Sequence, residues 1–231
     1  MSVTVGIIDG GFTGVPPHAL HRAAHFIPAA DGSVGREPAG GRPLPHGEAV
    51  AALVLEAAPA ARLIDARIAS HRHAPSPAMV AAAIEWCADE GARIINLSLG
   101  LLEDRTVLRR ACTRALAQGV VLVAAAPARG TPVFPAAYPG VLAVSGDARC
   151  APGQWSLLEG ETSGAADWGC SPAGPGKTAG GASMATARFT GILARHFLQY
   201  PAADPQGLAA HLAARASWQG REHKRIGEID S

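Results

Sequence analysis

Short apolar runs of strand length alternate along this chain with longer stretches whose apolar residues recur at helical spacing. That alternation leaves few folds open other than a mostly parallel sheet covered by helices on both faces, an α/β architecture of three layers. Residues 3–8 read as the first strand. Pro45-His46-Gly47 opens a helix whose apolar positions Val50, Leu53, Val54 and Ala57 repeat at helical spacing until Pro59 stops it. Further strands are predicted over 62–68, 92–97, 120–126 and 141–144, and further helices over 77–90, 102–118, 183–199 and 204–217. The glycine-rich region 31–45 reads as a loop leading to His46. The stretch 151–181, full of Gly, Pro, Ser and acids, reads as a long surface excursion with room for one hairpin. No repeat or interdomain linker interrupts the pattern, so a single domain over residues 1–231 is expected.

Composition narrows the function classes. With 231 residues, 48% of them hydrophobic, the chain can bury a two-sided sheet. A formal net charge of +1 argues against a nucleic-acid track or an anionic membrane surface as partner. No apolar run is long and uncharged enough to span a bilayer. Because the first strand begins at residue 3, no secretory signal is expected ahead of it, and the cytoplasm is the expected compartment. Cys87 and Cys112 fall within helical patterns and read as small buried hydrophobes. Cys150 and Cys170 lie in loop-like sequence without metal-ligand spacing, and a reducing compartment disfavours a bridge between them. Asp9-Gly10-Gly11 lacks the dinucleotide fingerprint, and no acidic cluster places a calcium site, so neither cofactor nor metal is expected.

Three short segments carry the chemistry: Ile7-Ile8-Asp9-Gly10-Gly11, His46-Gly47-Glu48 and Gly181-Ala182-Ser183-Met184-Ala185. They supply, in that order, a carboxylate, an imidazole and a hydroxyl. An imidazole can take the proton of a serine hydroxyl, and a carboxylate can fix the imidazole's tautomer and stabilise its charged form. Asp9 ends a buried strand at the carboxyl edge, where open α/β sheets place their sites. His46 stands at a helix start. Ser183 opens a later helix, close to backbone N–H groups that favour negative charge. Each has a plainer reading alone: a turn aspartate, one of nine histidines, a serine N-cap. The three together are far more specific.

The order Asp, His, Ser and the motifs around them resemble the subtilase family over nearly the whole chain. The resemblance implies a serine endopeptidase with Asp9, His46 and Ser183 as its catalytic residues. It also implies that Ser98-Leu99-Gly100, in Asn96-Leu97-Ser98-Leu99-Gly100, binds substrate backbone as an added strand, with Ala125 and Ala126 across the first specificity pocket and Val133 near its base. Residues 138–144 and the closing 225–230 also resemble their family counterparts. Members of that family commonly carry an amino-terminal prodomain, and with the first strand at residue 3 none is expected here.

The departures are informative. Ala182 and Glu48 replace threonines, and Ala187 stands where a proline is common. More seriously, in Ala124-Ala125-Ala126-Pro127-Ala128-Arg129-Gly130 the family's oxyanion-binding asparagine aligns with Ala128. Asn96 is the only asparagine of the chain and belongs to the substrate-binding strand. The Ser183 backbone N–H would then share the oxyanion with a substitute donor, for which Arg129 is preferred over Thr131 or Gln154. Two functions remain open: a working endopeptidase, and a peptide-binding relative weakened in chemistry. A protease without signal or prodomain implies a narrow substrate, such as the leader peptide of one precursor. Among compact subtilases the chain resembles most those that remove the leader from the small, cross-linked subunit of quinohemoprotein amine dehydrogenase, which makes the leader-bearing precursor the implied partner. Val133 at the pocket base predicts a preference for a small residue before the cut.

Overall fold

The structure, a computed structural model, describes residues 2–70, 74–158, 166–175 and 180–221. The closing segment 225–230 lies outside the described residues. A ten-stranded sheet forms the middle layer: β1 (Thr4–Asp9), β2 (Leu20–Pro28), β3 (Val34–Pro38), β4 (Arg62–Arg67), β5 (Ile94–Leu97), β6 (Val121–Ala125), β7 (Leu142–Gly146), β8 (Trp155–Leu157), β9 (Trp168–Cys170) and β10 (Trp218–Gln219), in the order β10-β8-β9-β7-β6-β5-β1-β4-β2-β3. The central run from β7 through β4 is entirely parallel, so these strands end on one edge. Among the described strands of the sheet, the antiparallel pairs lie towards the margins, between β2 and β3 and between β8 and β9.

Among the described residues five helices cover the sheet: α1 (Pro45–Ala57), α2 (Pro77–Asp89), α3 (Thr106–Ala117), α4 (Ala182–Gln199) and α5 (Pro205–Ala213). Successive side chains of a strand point to opposite faces, and both faces are apolar here. Ile8, Ile64, Ala66, Ile95 and Leu97 pack with Val80 and Ile84 of α2 and Leu108 and Cys112 of α3. Val5, Ile7, Leu63, Ile94 and Val123 pack with Val50 and Leu53 of α1 and Phe189 and Leu193 of α4 on the other face. Proline at the first helical position starts α1 and α2, and Ser76 caps α2 by accepting from the Met79 N–H at 3.2 Å.

The predicted strands and helices of the parallel core are present with ends shifted by a few residues, and the excursion holds one antiparallel pair, β8 and β9. The region 31–45 is not loop throughout, because residues 34–38 form β3. β2 and β10 were likewise not expected from the sequence. β2 buries little beyond Ala24 and Phe26, and β3 is half-exposed or exposed along its length, so neither carries the apolar period that marks a core strand. The register offered by β4 on one side and the hairpin on the other makes them strands. All four cysteines are free and buried, and burial pushes the thiols of Cys112 and Cys170 up to about 12. Among the described residues no helix is long and apolar enough to cross a membrane.

Candidate active site

β1 delivers Asp9 to the carboxyl edge of the sheet, where its side chain is 7% exposed. One carboxylate oxygen accepts the Gly10 N–H at 2.7 Å, and both lie 2.9 Å from Nδ1 of His46. The next residue folds this pair together. Gly47 lies so close to the turn after Asp9 that a Cβ on it would sit 2.3 Å from the Gly11 carbonyl oxygen, so only glycine lets the head of α1 reach β1. The Leu44 N–H donates to the Gly10 carbonyl at 3.0 Å and completes the junction. Glu48, at the family's threonine position, holds the same turn: its carboxylate accepts from the Thr13 N–H, the Thr13 hydroxyl and the Gly14 N–H.

With Nδ1–H donating to Asp9, the Nε2 atom of His46 carries the free lone pair. The hydrogen bond to Asp9 raises the His46 pKa above its ordinary 6.5, against the opposing effect of burial. The sign follows directly. A group raised on folding contributes stability that is complete below 6.5 and is lost as the pH rises through the folded value. A reaction that uses neutral His46 as base is therefore expected to lose rate on acidification at a pH above 6.5, and the acid limb of a kcat/KM profile measures it.

Ser183 occupies the second position of α4. The N-cap is Gly181, with φ 102° and ψ −165°, a conformation open to glycine and strained for other residues. No side chain caps this end, so the first N–H groups of an 18-residue helix, that of Ser183 among them, point outward as donors at its positive pole. A buried network fixes the serine against β5. The Thr190 hydroxyl donates to Asn96 Oδ1 at 2.9 Å, Asn96 Nδ2 donates to Ser98 Oγ at 3.0 Å, and Ser98 Oγ donates to the Ser183 carbonyl at 2.9 Å. The Ser183 hydroxyl in turn donates to the Ser98 carbonyl at 3.0 Å. Asn96 and Thr190, both 0% exposed, were not expected as parts of this support. Only the isolated polar residue in an apolar strand gave a signal.

The sheet edge thus gathers Asp9, His46, Ser98 and Ser183, with Ala125 and Ala126 at the end of neighbouring β6. Asp9 and His46 are joined directly, whereas among the described residues the Ser183 hydroxyl bonds to Ser98 and not to His46. That bond to Ser98 must be given up before the imidazole can take the proton. Catalytic hydrogen bonds of this kind often tighten only when substrate is bound. Leu101 pairs with Phe134 as an isolated antiparallel bridge, bringing Val133 against the substrate-binding segment: a Cβ on Gly100 would lie 2.9 Å from Val133 Cγ2.

Beside the head of α4 lies a cavity of about 470 Å³ lined by Ala128, Arg129, Gly146, Gly181, Ala182 and Arg221, among others. Arg129 is exposed on its rim. Arg221 is committed to backbone, donating to the Ala128 carbonyl at 2.7 Å. Gln154 spends its side-chain oxygen on the Ala151 N–H, and Thr131 is exposed on the loop after β6. Among the described residues no group of three or more His, Cys, Asp or Glu side chains is placed to hold a metal ion.

Comparison with known proteins gives the family. Its profile, described as the subtilase family, matches residues 1–227. Subtilisin Savinase from Lederbergia lenta is 29% identical over 149 residues, covering 62% of this chain and 54% of the relative, so the match spans about half of that enzyme's length. Among solved structures, the prenylagaramide maturation protease PagA superposes with a TM-score of 0.64 at 21% identity, covering 90% of this chain and 81% of its own. A lanthipeptide protease superposes with a TM-score of 0.62 at 16% identity, covering 90% and 78%. At these identities the two structures speak for the fold.

Proposed function

The chain belongs to the subtilase family, and on that footing we propose that it is a serine endopeptidase that matures a peptide precursor. One observation carries the reading: the Asp9 carboxylate holds Nδ1 of an imidazole at the sheet edge where Ser183 opens an uncapped helix. In this mechanism Ser183 attacks the scissile carbonyl, and Nε2 of His46 takes its proton and later gives it to the leaving amine. Asp9 stabilises the imidazolium, and water hydrolyses the acyl-enzyme. The Ser183 N–H receives one side of the oxyanion, and Arg129 completes it from the cavity rim. The whole of residues 1–231 acts as one peptidase domain.

The likeness to a prenylagaramide maturation protease and a lanthipeptide protease supports leader or precursor processing as the substrate class. The narrower reading is removal of the leader from the small, cross-linked subunit of quinohemoprotein amine dehydrogenase, in the cytoplasm and before export. Substrate backbone adds as a strand along Ser98-Leu99-Gly100. The side chain before the cut then meets Ala125, Ala126 and Val133, and Val133 against Gly100 leaves a shallow pocket suited to a small residue. Val133→Gly is expected to shift preference towards larger apolar residues at that position by about tenfold or more in kcat/KM. A peptide library read before and after the substitution checks it.

A second reading, a binding-only relative, is favoured by two observations: alanine at position 128 and the Ser183 hydroxyl turned to Ser98. A serine-directed fluorophosphonate separates the two. The endopeptidase is labelled at Ser183, and labelling is lost in Ser183→Ala and His46→Ala. A folded protein that stays unlabelled, alone and with a leader peptide present, is a binder.

A further inference from the structure

We infer that Arg67, held by Asp65, is a positioning residue that sets the geometry of the Asp9–His46 pair; its link to catalysis rests on the reading above. Both side chains come from β4, which pairs with β1 so that Arg67 stands beside Asp9. Both are buried, at 4% and 1% exposure. One guanidinium nitrogen of Arg67 donates to the carbonyls of Gly40, at 2.7 Å, and Gly41, at 3.3 Å, in the segment that leads into α1. The other donates to Asp65 Oδ2 at 3.1 Å. The same carboxylate oxygen accepts the Phe12 N–H at 3.3 Å, and the guanidinium lies against Gly11 so closely that a Cβ there would sit 2.0 Å from Nε.

One buried ion pair therefore grips both the residues after Asp9 and the residues ahead of His46. The two segments are 53 and 26 to 27 positions distant along the chain from the side chains that hold them. A planar fork can serve carbonyl and carboxylate acceptors at once, which a lysine ammonium on its flexible stem does less well. The arrangement is costly. Asp65 Oδ1 and Arg67 Nε find no partner among the described residues, and burial pushes the Asp65 carboxyl up while Arg67 pulls it down and Asp9 raises it further. Apolar side chains of similar volume would hold a strand in place as well as, or better than, an incompletely satisfied ion pair. What they could not do is hold two loops at fixed distance from one another. The charged group shown acting on His46 is Asp9; on the elements packed about the pair stand Asp65 and Arg67 of β4, with Arg42 and Glu48 sharing a cavity at the head of α1 and Glu48 already taken by Thr13 and Gly14.

The test separates positioning from stability. In Asp65→Leu/Arg67→Met the pair is removed as a neutral unit, so the charge near His46 is unchanged. The melting temperature is expected to hold or rise. The His46 imidazole, followed by NMR titration, is expected to fall back towards 6.5 as its bond to Asp9 loosens. Labelling of Ser183 by fluorophosphonate is expected to slow at least tenfold. Arg67→Lys, which keeps charge and fold, is expected to move both readouts the same way by less. An unchanged imidazole titration in a folded variant of either kind overturns the inference. The titration needs no activity, so a wild-type protein that resists labelling would count against the protease reading alone.

Discussion

Ser183→Ala is expected to lower kcat by about 10⁶, a magnitude carried over from subtilisin, and to leave the fold intact. The structure makes the second half of that expectation specific. If Ser183 capped α4, its replacement would cost about 0.5–2 kcal/mol of stability. The cap is Gly181, one full position before the helix begins, and no side chain serves as cap there. Among the described residues the hydroxyl makes one bond, to the Ser98 carbonyl, and the Ser98 hydroxyl keeps its own bond to the Ser183 carbonyl when Oγ is deleted. Thermal unfolding is thus expected to stay within about 1 kcal/mol of the parent, the range of one lost hydrogen bond. Single-turnover cleavage of a leader peptide, with melting measured on the same sample, checks both halves. A large stability loss would mean that Ser183 is a structural residue, and retained cleavage would remove it from the mechanism.

What the sequence made legible was what local pattern encodes. The parallel core was readable because strands such as β1 and β5 are apolar on both faces, so that even short runs stand out between helical periods. The segments around Asp9, His46 and Ser183 were readable because small residues must flank them: Gly47 packs on Gly11, and Gly181 turns the chain into α4 at positive φ. The support behind them was not. Thr190 lies 94 residues from Asn96, which it bonds, and Arg67 clasps glycines 26 and 27 positions away. No window of sequence contains such a pair, and a buried threonine in a helix looks like any other. β2 and β3 were missed for a related reason. Their strand character comes from the partner each is offered at the margin, while their own residues are half polar.

Ala128→Asn is expected to raise kcat, because a carboxamide fixed close to the backbone binds the oxyanion more firmly than Arg129 reaching in from an exposed rim. One oxyanion donor of this kind is worth about 10²–10³ in kcat, or roughly 2.7–4 kcal/mol, again a magnitude carried over from subtilisin. The local structure leaves room for the exchange. Ala128 is exposed, its carbonyl accepts from Arg221 at 2.7 Å, and it lines a cavity of about 470 Å³ together with Gly181 and Ala182 at the head of α4. An exposed substitution outside the packed core shifts stability by only about 0.5 kcal/mol. Because the donor acts on charge that develops only as the carbonyl is attacked, kcat should rise with little change in KM. The size of the gain also reads out Arg129. A rise of about 10² or more means that the oxyanion is bound by the Ser183 N–H almost alone. A rise below tenfold, together with a comparable loss in Arg129→Ala, means that the guanidinium already occupies the place. An unchanged kcat in both variants would show that turnover is limited by a step other than carbonyl attack, such as release of the Ser183 hydroxyl from the Ser98 carbonyl.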